Sequence, residues 1–314
     1  MKSRAKVVIQ SAVRIALPAT SANLGPAFDA AALAMNFYIK IEARAAEEFS
    51  IQASGRDEEI CGKLENHLIL DTYREVLAAS GKSIVPLALR VVNDIPIGKG
   101  CGSSAAARLA GIALANHFGR LRWHDPQIVG EASRREHHPD NASACWMGGL
   151  TVARMTGEAE AQVACIRPKG KWPLLLAVPE QSLATEEARR VLPDRYTRAD
   201  AVVNIQNSML LLAAFTQGYP DLLASALDDR IHQPYRASLC PLLPALQKLK
   251  GGYGKEKTGI LGAVLSGAGP SVLMFLDPGA NVAKTAKLVS LHLAQNKLNA
   301  ELISTSITLR GARS

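Results

Sequence analysis

The sequence predicts an α+β protein in two parts, and three observations lead to that class. Strand-like and helix-like segments alternate irregularly, without the repeated βαβ rhythm of a parallel sheet. The chain has 314 residues, which is long for one domain and sufficient for two. Its residues are 48% hydrophobic and 20% charged, so a large core can form and global disorder is not expected. We therefore expect two domains, at residues 1–168 and 169–314, with the division near Arg167–Trp172.

The elements of the first half follow from apolar spacing and from turn residues. Strands are expected in the stretches VVIQSAVRIALPAT, FYIKIEARAA and PLALRVVND, and a loop is expected in TSANLGPAFD between the first two. Apolar residues at helical spacing predict a helix in HLILDTYREVLAAS that ends at Gly81. A further helix is expected in DPQIVGEASRREH, with Asp125 as its cap and Pro126 in its first turn.

The remaining elements repeat the same mixture. Two strands, on either side of a polar hairpin region, are expected in LTVARM and WPLLLAVP. Helices are expected in DAVVNIQNSMLLLAAFTQ, which Gly218 and Pro220 terminate, in PDLLASALDD and in NVAKTAKLVSLHLAQNK. The pattern of two strands around a glycine-rich bend occurs in ILGAVLSGAGPSVLMFLD, and a last strand is expected in LISTSITL.

Composition argues against several classes of protein. The chain lacks an apolar run of about 18 residues, so no membrane span is expected. The N-terminal stretch is basic but has no long apolar segment before a cleavage site, which indicates a first strand rather than a signal peptide. The odd, scattered cysteines form no CxxC pair, which predicts a reducing, cytoplasmic location without disulfides or a cysteine zinc site. They are Cys61, Cys101, Cys145, Cys165 and Cys240.

The formal charge of +8 suits an anionic partner. Nucleic acid is not expected, because dense basic runs are missing and only 5% of the residues are aromatic. A small anionic substrate such as a nucleotide fits the same charge.

One stretch combines flexibility with a helix start: PIGKGCGSSAAARLAGIALANHF, from Pro96 to Phe118. Its alternating glycines, Gly98, Gly100 and Gly102, leave backbone amides unobstructed and make positive φ inexpensive. A helix that begins near Ser103 would add free N–H groups and a positive dipole end, which together favour a phosphate. The alternative is a tight turn followed by an ordinary serine cap.

Three motifs together resemble those of the GHMP small-molecule kinases. The glycine stretch is neither a Walker A loop nor GxGxxG, but P-x-x-x-G-x-G-S-S-A-A resembles the phosphate-binding motif of that superfamily, with Cys101 in place of the usual leucine. The stretch PATSANLGPAFDAAALAM resembles the first motif of the homoserine kinases, and GAVLSGAGPSVLMF resembles the third motif. They occur in family order, and the resemblance covers nearly the whole chain.

The stretch EASRREHHPDNASACWMGG points to homoserine kinases within the superfamily, whose pattern is E…H-x-D-N…G-G. It departs from the family at Ala142–Ala144, where Val-Ala-Pro is common. The stretches ATEEARRVLP, HQPYR and RGAR also resemble that family. The resemblance implies an N-terminal domain like domain 2 of ribosomal protein S5, a ferredoxin-like C-terminal domain, and ATP-dependent phosphorylation of L-homoserine in threonine biosynthesis. Because many relatives are dimers, the resemblance also implies a homodimer.

The resemblance also implies roles for individual residues. Mg²⁺, which prefers oxygen ligands, would bind to Ser104 and Glu131. Homoserine presents a carboxylate for Arg189 and Arg236 and an ammonium group for Asp29. Further substrate contacts are expected from Asn23, His138, Asp140 and Gly267. The ATP phosphates would be wrapped by Pro96, Ile97, Gly98, Lys99, Gly100, Cys101, Gly102, Ser103, Ser104, Ala105 and Ala106.

Two questions stay open at the level of sequence. The first concerns the proton of the substrate hydroxyl. In one assignment Asn141 orients the hydroxyl and a phosphate oxygen receives the proton, and in the other Asp140 acts as the base. The chain is alternatively a GHMP kinase for mevalonate or a sugar, or a catalytically silent nucleotide-binding relative. The HPDN segment and the two arginines argue against the first alternative, and the intact glycine stretch argues against the second.

Overall fold

Two sheets organise the computed structural model, which describes residues 12–251 and 258–312. The first sheet has six strands in the order β3-β4-β2-β5-β6, with β1 also paired to β2. The pair β3–β4 is parallel, and the other pairs are antiparallel. The strands are β1 (Val13–Asn23), β2 (Ala27–Ala45), β3 (Ser50–Gly55), β4 (Leu87–Asn93), β5 (Leu150–Gly157) and β6 (Glu160–Ile166).

Helices cover one face of the first sheet. Burial alternates along β4, where Leu87, Leu89 and Val91 are buried while Arg90 is exposed, so this sheet has an apolar inner face and a polar outer face. The helices contact one another and the inner face at β1, β2, β5 and β6. They are α1 (Glu58–Cys61), α2 (Leu68–Ala79), α3 (Ser103–Phe118), α4 (Asp125–Glu136) and α5 (Asp140–Met147).

The second sheet is antiparallel, in the order β10-β7-β9-β8. Its strands are β7 (Pro173–Val178), β8 (Ile260–Leu265), β9 (Val272–Leu276) and β10 (Glu301–Ser306). Strands β7, β8 and β9 are buried on both faces, which explains their continuous apolar runs. The accompanying helices are α6 (Thr185–Arg190), α7 (Arg198–Gln217), α8 (Pro220–Ala226), α9 (Gln233–Arg236), α10 (Leu242–Gln247) and α11 (Val282–Gln295).

The two faces of the second sheet belong to different apolar cores. Leu176 and Phe275 join the large core that includes α7 and the first sheet. Leu175 and Met274, on the opposite face, pack in a smaller core with α10 and α11. Residues 167–172 connect the last strand of the first sheet to β7. The predicted domain boundary, between residues 168 and 169, lies within this connection and stays a prediction.

Most predicted elements are confirmed, including the α+β class and the long helices α2, α4, α7 and α11. The predicted loop TSANLGPAFD is wrong, because β1 runs to Asn23 and β2 begins at Ala27, which leaves a three-residue turn. The cap of α4 is His124, and Asp125 is the first helical residue instead. The start of the first predicted strand and the last arginine of RGAR lie outside the described residues.

In residues 12–251 and 258–312, none of the helices combines the length and apolar character that crossing a membrane requires.

Candidate functional site

Two cavities meet at the glycine stretch. One is charged, with a volume of about 110 Å³. The other, of about 330 Å³, is lined mainly by apolar side chains. Gly98, Ser103 and Ser104 line both cavities, so the loop and the first turn of α3 stand between them. The charged cavity collects residues from the first half of the chain, such as Asp29 and Asn141, and from the second half, such as Arg236.

The conformation of the loop requires its glycines. Gly98, Gly100 and Gly102 have φ angles of 70°, 75° and 72°, which side chains disfavour. A Cβ on Gly102 would overlap the side chain of Thr20, and one on Gly100 would overlap backbone oxygens of the third motif. The first and third motifs therefore pack directly against the loop.

The rest of the predicted phosphate loop is anchored on both sides. Thr20 N donates to the Cys101 carbonyl at 3.0 Å, and Ser266 Oγ donates to the Gly100 carbonyl at 2.7 Å. The Lys99 ammonium donates to the Glu180 carbonyl. Cys101 is buried, and burial raises the pKa of its thiol to about 12, so it serves as an apolar residue in place of leucine.

The helix α3 begins at Ser103, as predicted, with Gly102 as its N-cap. Neither serine caps the helix with its side chain. Ser104 Oγ instead lies 2.6 Å from Glu136 Oε1, at the end of α4. Arg108 Nε, one turn further along α3, donates to the same oxygen at 2.6 Å. A hydroxyl and a carboxylate thus stand together where the loop meets the charged cavity.

Glu131 was expected to share a metal ion with Ser104, and the structure instead engages its carboxylate with two arginines. The Glu131 carboxylate accepts hydrogen bonds from Arg134 at 2.9 and 2.8 Å and from Arg135 at 2.7 Å. Burial raises the pKa of Glu131, but these two arginines outweigh it, and the net direction is downward. Glu136 faces Ser104 instead. Glu131 and Glu136 lie on the same predicted helix. The structure shows that Glu136, at the end of this helix, is the acid that faces the loop.

Asn141 links the loop to the floor of the charged cavity. Its Oδ1 accepts from Thr20 Oγ1 at 2.6 Å, and both groups surround the position of a Cβ on Gly102. The neighbouring Asp140 is 1% exposed, and its Oδ1 lies 2.6 Å from His138 Nδ1. Burial lowers the pKa of His138, but the hydrogen bond and charge of Asp140 outweigh it, so the net direction is upward.

Asn23 fastens the first motif to the third. Its Nδ2 donates to the Gly267 carbonyl at 2.8 Å, and its Oδ1 accepts from the Asp29 amide at 2.9 Å. Asn23 and Asp29 both adopt positive φ, at 71° and 54°. The short turn between them therefore holds the Asp29 carboxylate at the cavity, where ligand atoms of Asp29, His138 and Asp140 lie within 4.8 Å of one another.

Asp29 and Arg189 were predicted to bind opposite ends of an amino acid, and the structure pairs them with each other. Two hydrogen bonds of 3.0 and 2.7 Å join the guanidinium to the carboxylate. Their side chains are 32% and 35% exposed, so the pair remains open to solvent and to a ligand. Phe28 lies beside it, with the Arg189 guanidinium carbon 5.4 Å from the ring centroid.

Arg236 is a buried cation that lines the charged cavity. It is 1% exposed, its Nε donates to the Ala188 carbonyl at 2.9 Å, and its Nη1 lies 3.2 Å from His232 Nδ1. Among the residues that the structure describes, no carboxylate forms an ion pair with it. Burial and the neighbouring charge of Arg189 lower its pKa to about 10, so it remains a cation at neutral pH. A buried cation without a counterion favours an anionic ligand.

The apolar cavity was missed by the sequence analysis. Its walls come from four separate segments, and no short motif marks those outside the glycine stretch. The apolar residues are Ile39, Ile60, Leu68, Ile69, Val91, Ile95 and Ile97, with Asn66 and His67 among the polar ones. Thr185 and Phe28, which line the charged cavity, were missed as well, although they lie in the quoted stretches ATEEARRVLP and PATSANLGPAFDAAALAM.

The comparisons with known proteins agree on one family. Residues 67–149 match the model of the GHMP kinases N terminal domain, and residues 211–290 match that of the GHMP kinases C terminal domain. A homoserine kinase of Solibacter usitatus is 39% identical over 298 residues, which cover 94% of both chains. One of Desulfitobacterium hafniense is 34% identical over 300 residues, covering 96% of this chain and 99% of the relative.

The fold is shared with solved structures of the same family. The crystal structure of homoserine kinase from Cytophaga hutchinsonii matches with a TM-score of 0.80 at 20% identity. The match covers 99% of this chain and 98% of that one, so the likeness of fold extends over nearly all of both chains.

Proposed function

Since this chain belongs to the homoserine kinases of the GHMP kinase family, we propose that it transfers the γ-phosphoryl group of ATP to the hydroxyl of L-homoserine. The product is O-phospho-L-homoserine, an intermediate for threonine biosynthesis in the cytoplasm. One observation carries the assignment of the site: an apolar and a charged cavity meet at a glycine loop, and the charged one contains a buried arginine with which no carboxylate of the described residues forms an ion pair.

The nucleotide occupies the apolar cavity and the loop. A purine is flat and largely apolar, and it suits walls such as Ile69 and Val91 with a few polar groups at the edge. The phosphates extend across Gly98, Gly100 and Gly102 to the start of α3, whose unpaired N–H groups and dipole favour negative charge. The γ-phosphate then faces the charged cavity.

Ser104 and Glu136 fit a magnesium ion. The donor set is a hydroxyl and a carboxylate, both hard oxygen ligands, placed beside the loop that receives the phosphates. When bound, Mg²⁺ neutralises charge that develops on the phosphate oxygens. Arg108 holds the same carboxylate oxygen and so fixes the Glu136 side chain toward the loop.

Homoserine occupies the charged cavity with its two charged groups toward opposite partners. Its carboxylate binds Arg236 and draws Arg189 from its pair with Asp29. Its ammonium group binds the released Asp29 carboxylate, near Asp140 and His138. An isoprenoid alcohol or a sugar offers no such pair of charges, so it leaves the buried Arg236 or the acidic cluster without a partner.

The hydroxyl end of homoserine then reaches Asn141, beside the loop. The Asn141 amide, held by Thr20, orients the hydroxyl oxygen for in-line attack on the γ-phosphorus. The proton passes to a phosphate oxygen. The rival assignment gives the proton to Asp140, whose carboxylate already accepts from the Asn141 backbone N–H at 2.6 Å and contacts His138 at the same distance.

Release of ADP with a panel of acceptors tests the proposal. Homoserine, mevalonate, galactose and shikimate are compared at equal concentration with ATP and Mg²⁺. We expect rapid ADP release with homoserine alone. Release with mevalonate or galactose instead would assign another kinase activity, and release with none would identify a silent relative.

A further inference from the structure

His232 is a buried histidine that sequence reasoning left without a role. Its side chain is 0% exposed, and its backbone occupies the N-cap position of α9, the short helix that carries Arg236. The ring stacks on Phe28 with centroids 5.1 Å apart. It thereby stands between the start of β2, which carries Asp29, and α9, which carries the buried guanidinium.

The partners of the ring determine where its proton lies. Nε2 lies 2.9 Å from the Gly25 carbonyl and 3.4 Å from Asp229 Oδ2, which both only accept. Nδ1 lies 3.2 Å from Arg236 Nη1, and a guanidinium only donates. The ring is therefore neutral with its proton on Nε2, and Nδ1 presents a bare lone pair to Arg236. Burial lowers the pKa of His232 to about 4, in agreement with that neutral form.

The guanidinium has its orientation fixed by two acceptors. The Ala188 carbonyl holds Nε, and His232 Nδ1 holds Nη1, while Phe28 lies against the group with its centroid 5.2 Å from the guanidinium carbon. Among the described residues no hydrogen bond engages Nη2, and Arg236 lines the charged cavity, so this edge of the guanidinium is available to a ligand there. A planar guanidinium binds a carboxylate well only when its edge is correctly turned.

We infer that His232 is a positioning residue for substrate binding, which turns the guanidinium of Arg236 toward the carboxylate of the amino-acid substrate. Its Nδ1 supplies the acceptor, and the Gly25 carbonyl and Phe28 hold the ring in place. This inference rests on the proposed function, because it needs the carboxylate of homoserine at Arg236.

A matched pair of variants tests the role. His232→Asn places an amide oxygen near the former Nδ1, whereas His232→Leu has the same shape without an acceptor. We expect His232→Leu to raise the KM for homoserine by about tenfold or more relative to His232→Asn, the lower part of the range for a hydrogen bond to a charged group. The KM for ATP stays within about twofold in both. A purely structural role would instead change both KM values or neither.

Coupling to Arg236 makes the test specific. In an Arg236→Gln background the difference between Asn and Leu at position 232 should vanish, because the group through which His232 acts is gone. His292 supplies a matched control, since its Nε2 also bonds a backbone carbonyl, that of Ala245, at 2.9 Å, far along the chain on α11. His292→Leu should leave the KM for homoserine unchanged.

The outcomes separate the inference from the proposed function. If the unaltered enzyme phosphorylates homoserine and the Leu and Asn variants have equal KM values for it, the inference is wrong and the function stands. If the difference persists in the Arg236→Gln background, His232 acts through another group and the inference also fails. Should His232→Leu not fold, His232→Gln, which keeps the donor to Gly25 but lacks the Nδ1 acceptor, takes its place. If the unaltered enzyme releases no ADP with homoserine, the proposed function fails first.

Discussion

Ser104 Oγ and Glu136 Oε1 lie 2.6 Å apart, at the junction of the first turn of α3 and the last turn of α4. This contact places a carboxylate beside the glycine loop, whereas Glu131, five residues earlier, is occupied by two arginines. The metal site of the proposed mechanism depends on which of these two acids is used.

Glu136→Gln should lower kcat by roughly 100-fold, which corresponds to the loss of about 3 kcal/mol of transition-state stabilisation. It should also raise the Mg²⁺ concentration that gives half-maximal rate. Glu131→Gln is the matched control, because it removes the same charge from the same helix, and it should keep kcat within about threefold. Magnesium titrations of both variants measure this. The opposite order of effects would return the metal role to Glu131.

Arg236→Gln should raise the KM for homoserine by about 10- to 100-fold, because a hydrogen bond between a charged group and a carboxylate contributes about 1.5–3 kcal/mol. The change in kcat should be small, since the carboxylate is distant from the phosphoryl group and is bound equally in the ground state and the transition state. Steady-state kinetics with homoserine varied at saturating ATP provide the measurement. An unchanged KM would show that the carboxylate binds elsewhere.

Asp29→Asn should reduce discrimination between homoserine and 4-hydroxybutyrate, which lacks the ammonium group. In the proposed complex the ammonium group replaces Arg189 as the partner of Asp29 when Arg189 turns to the carboxylate. We expect the ratio of kcat/KM for the two acceptors to fall by about tenfold or more in the variant. A ratio that does not change would place the ammonium away from Asp29.

Asn141→Ala should lower kcat more than it raises the KM for homoserine, because its amide positions the hydroxyl only for the transfer step. Thr20→Val removes the donor that holds Asn141 and should lower kcat in the same direction by a smaller factor. Thr20→Ser keeps the hydroxyl and is the control, with near-normal kcat expected. If Asn141→Ala leaves kcat intact, the rival assignment to Asp140 gains support.

The free energy of unfolding should depend on pH through the protonation of His232. Its pKa is about 4 in the folded protein and about 6.5 when unfolded, so between these values the unfolded chain binds the extra proton. The free energy of unfolding therefore falls as pH decreases from about 6.5 toward 4, with a slope for this group of up to about 1.4 kcal/mol per pH unit. Urea unfolding at pH 5, 6 and 7 should show a shallower slope for His232→Asn. Equal slopes would mean that His232 is not buried in neutral form.

Much of this arrangement follows from local sequence. Alternating glycines predict a loop with positive φ, and apolar spacing predicts α2, α7 and α11, because these depend on neighbours along the chain. The choice of Glu136 over Glu131 depends instead on how α4 lies against α3. The pairing of Arg189 with Asp29 joins residues 160 positions apart, and no local pattern contains it. The apolar cavity could not be predicted for the same reason, because four segments distant in sequence form its walls.

A crystal structure with homoserine and a non-hydrolysable ATP analogue would test the central claim most directly, which is that one cleft holds a triphosphate at the glycine loop and an amino acid between Asp29 and Arg236. We expect the triphosphate along Gly98–Gly102, the carboxylate of homoserine on Arg236, and its hydroxyl beside Asn141. A triphosphate bound away from the loop, or a homoserine carboxylate far from Arg236, would contradict the account.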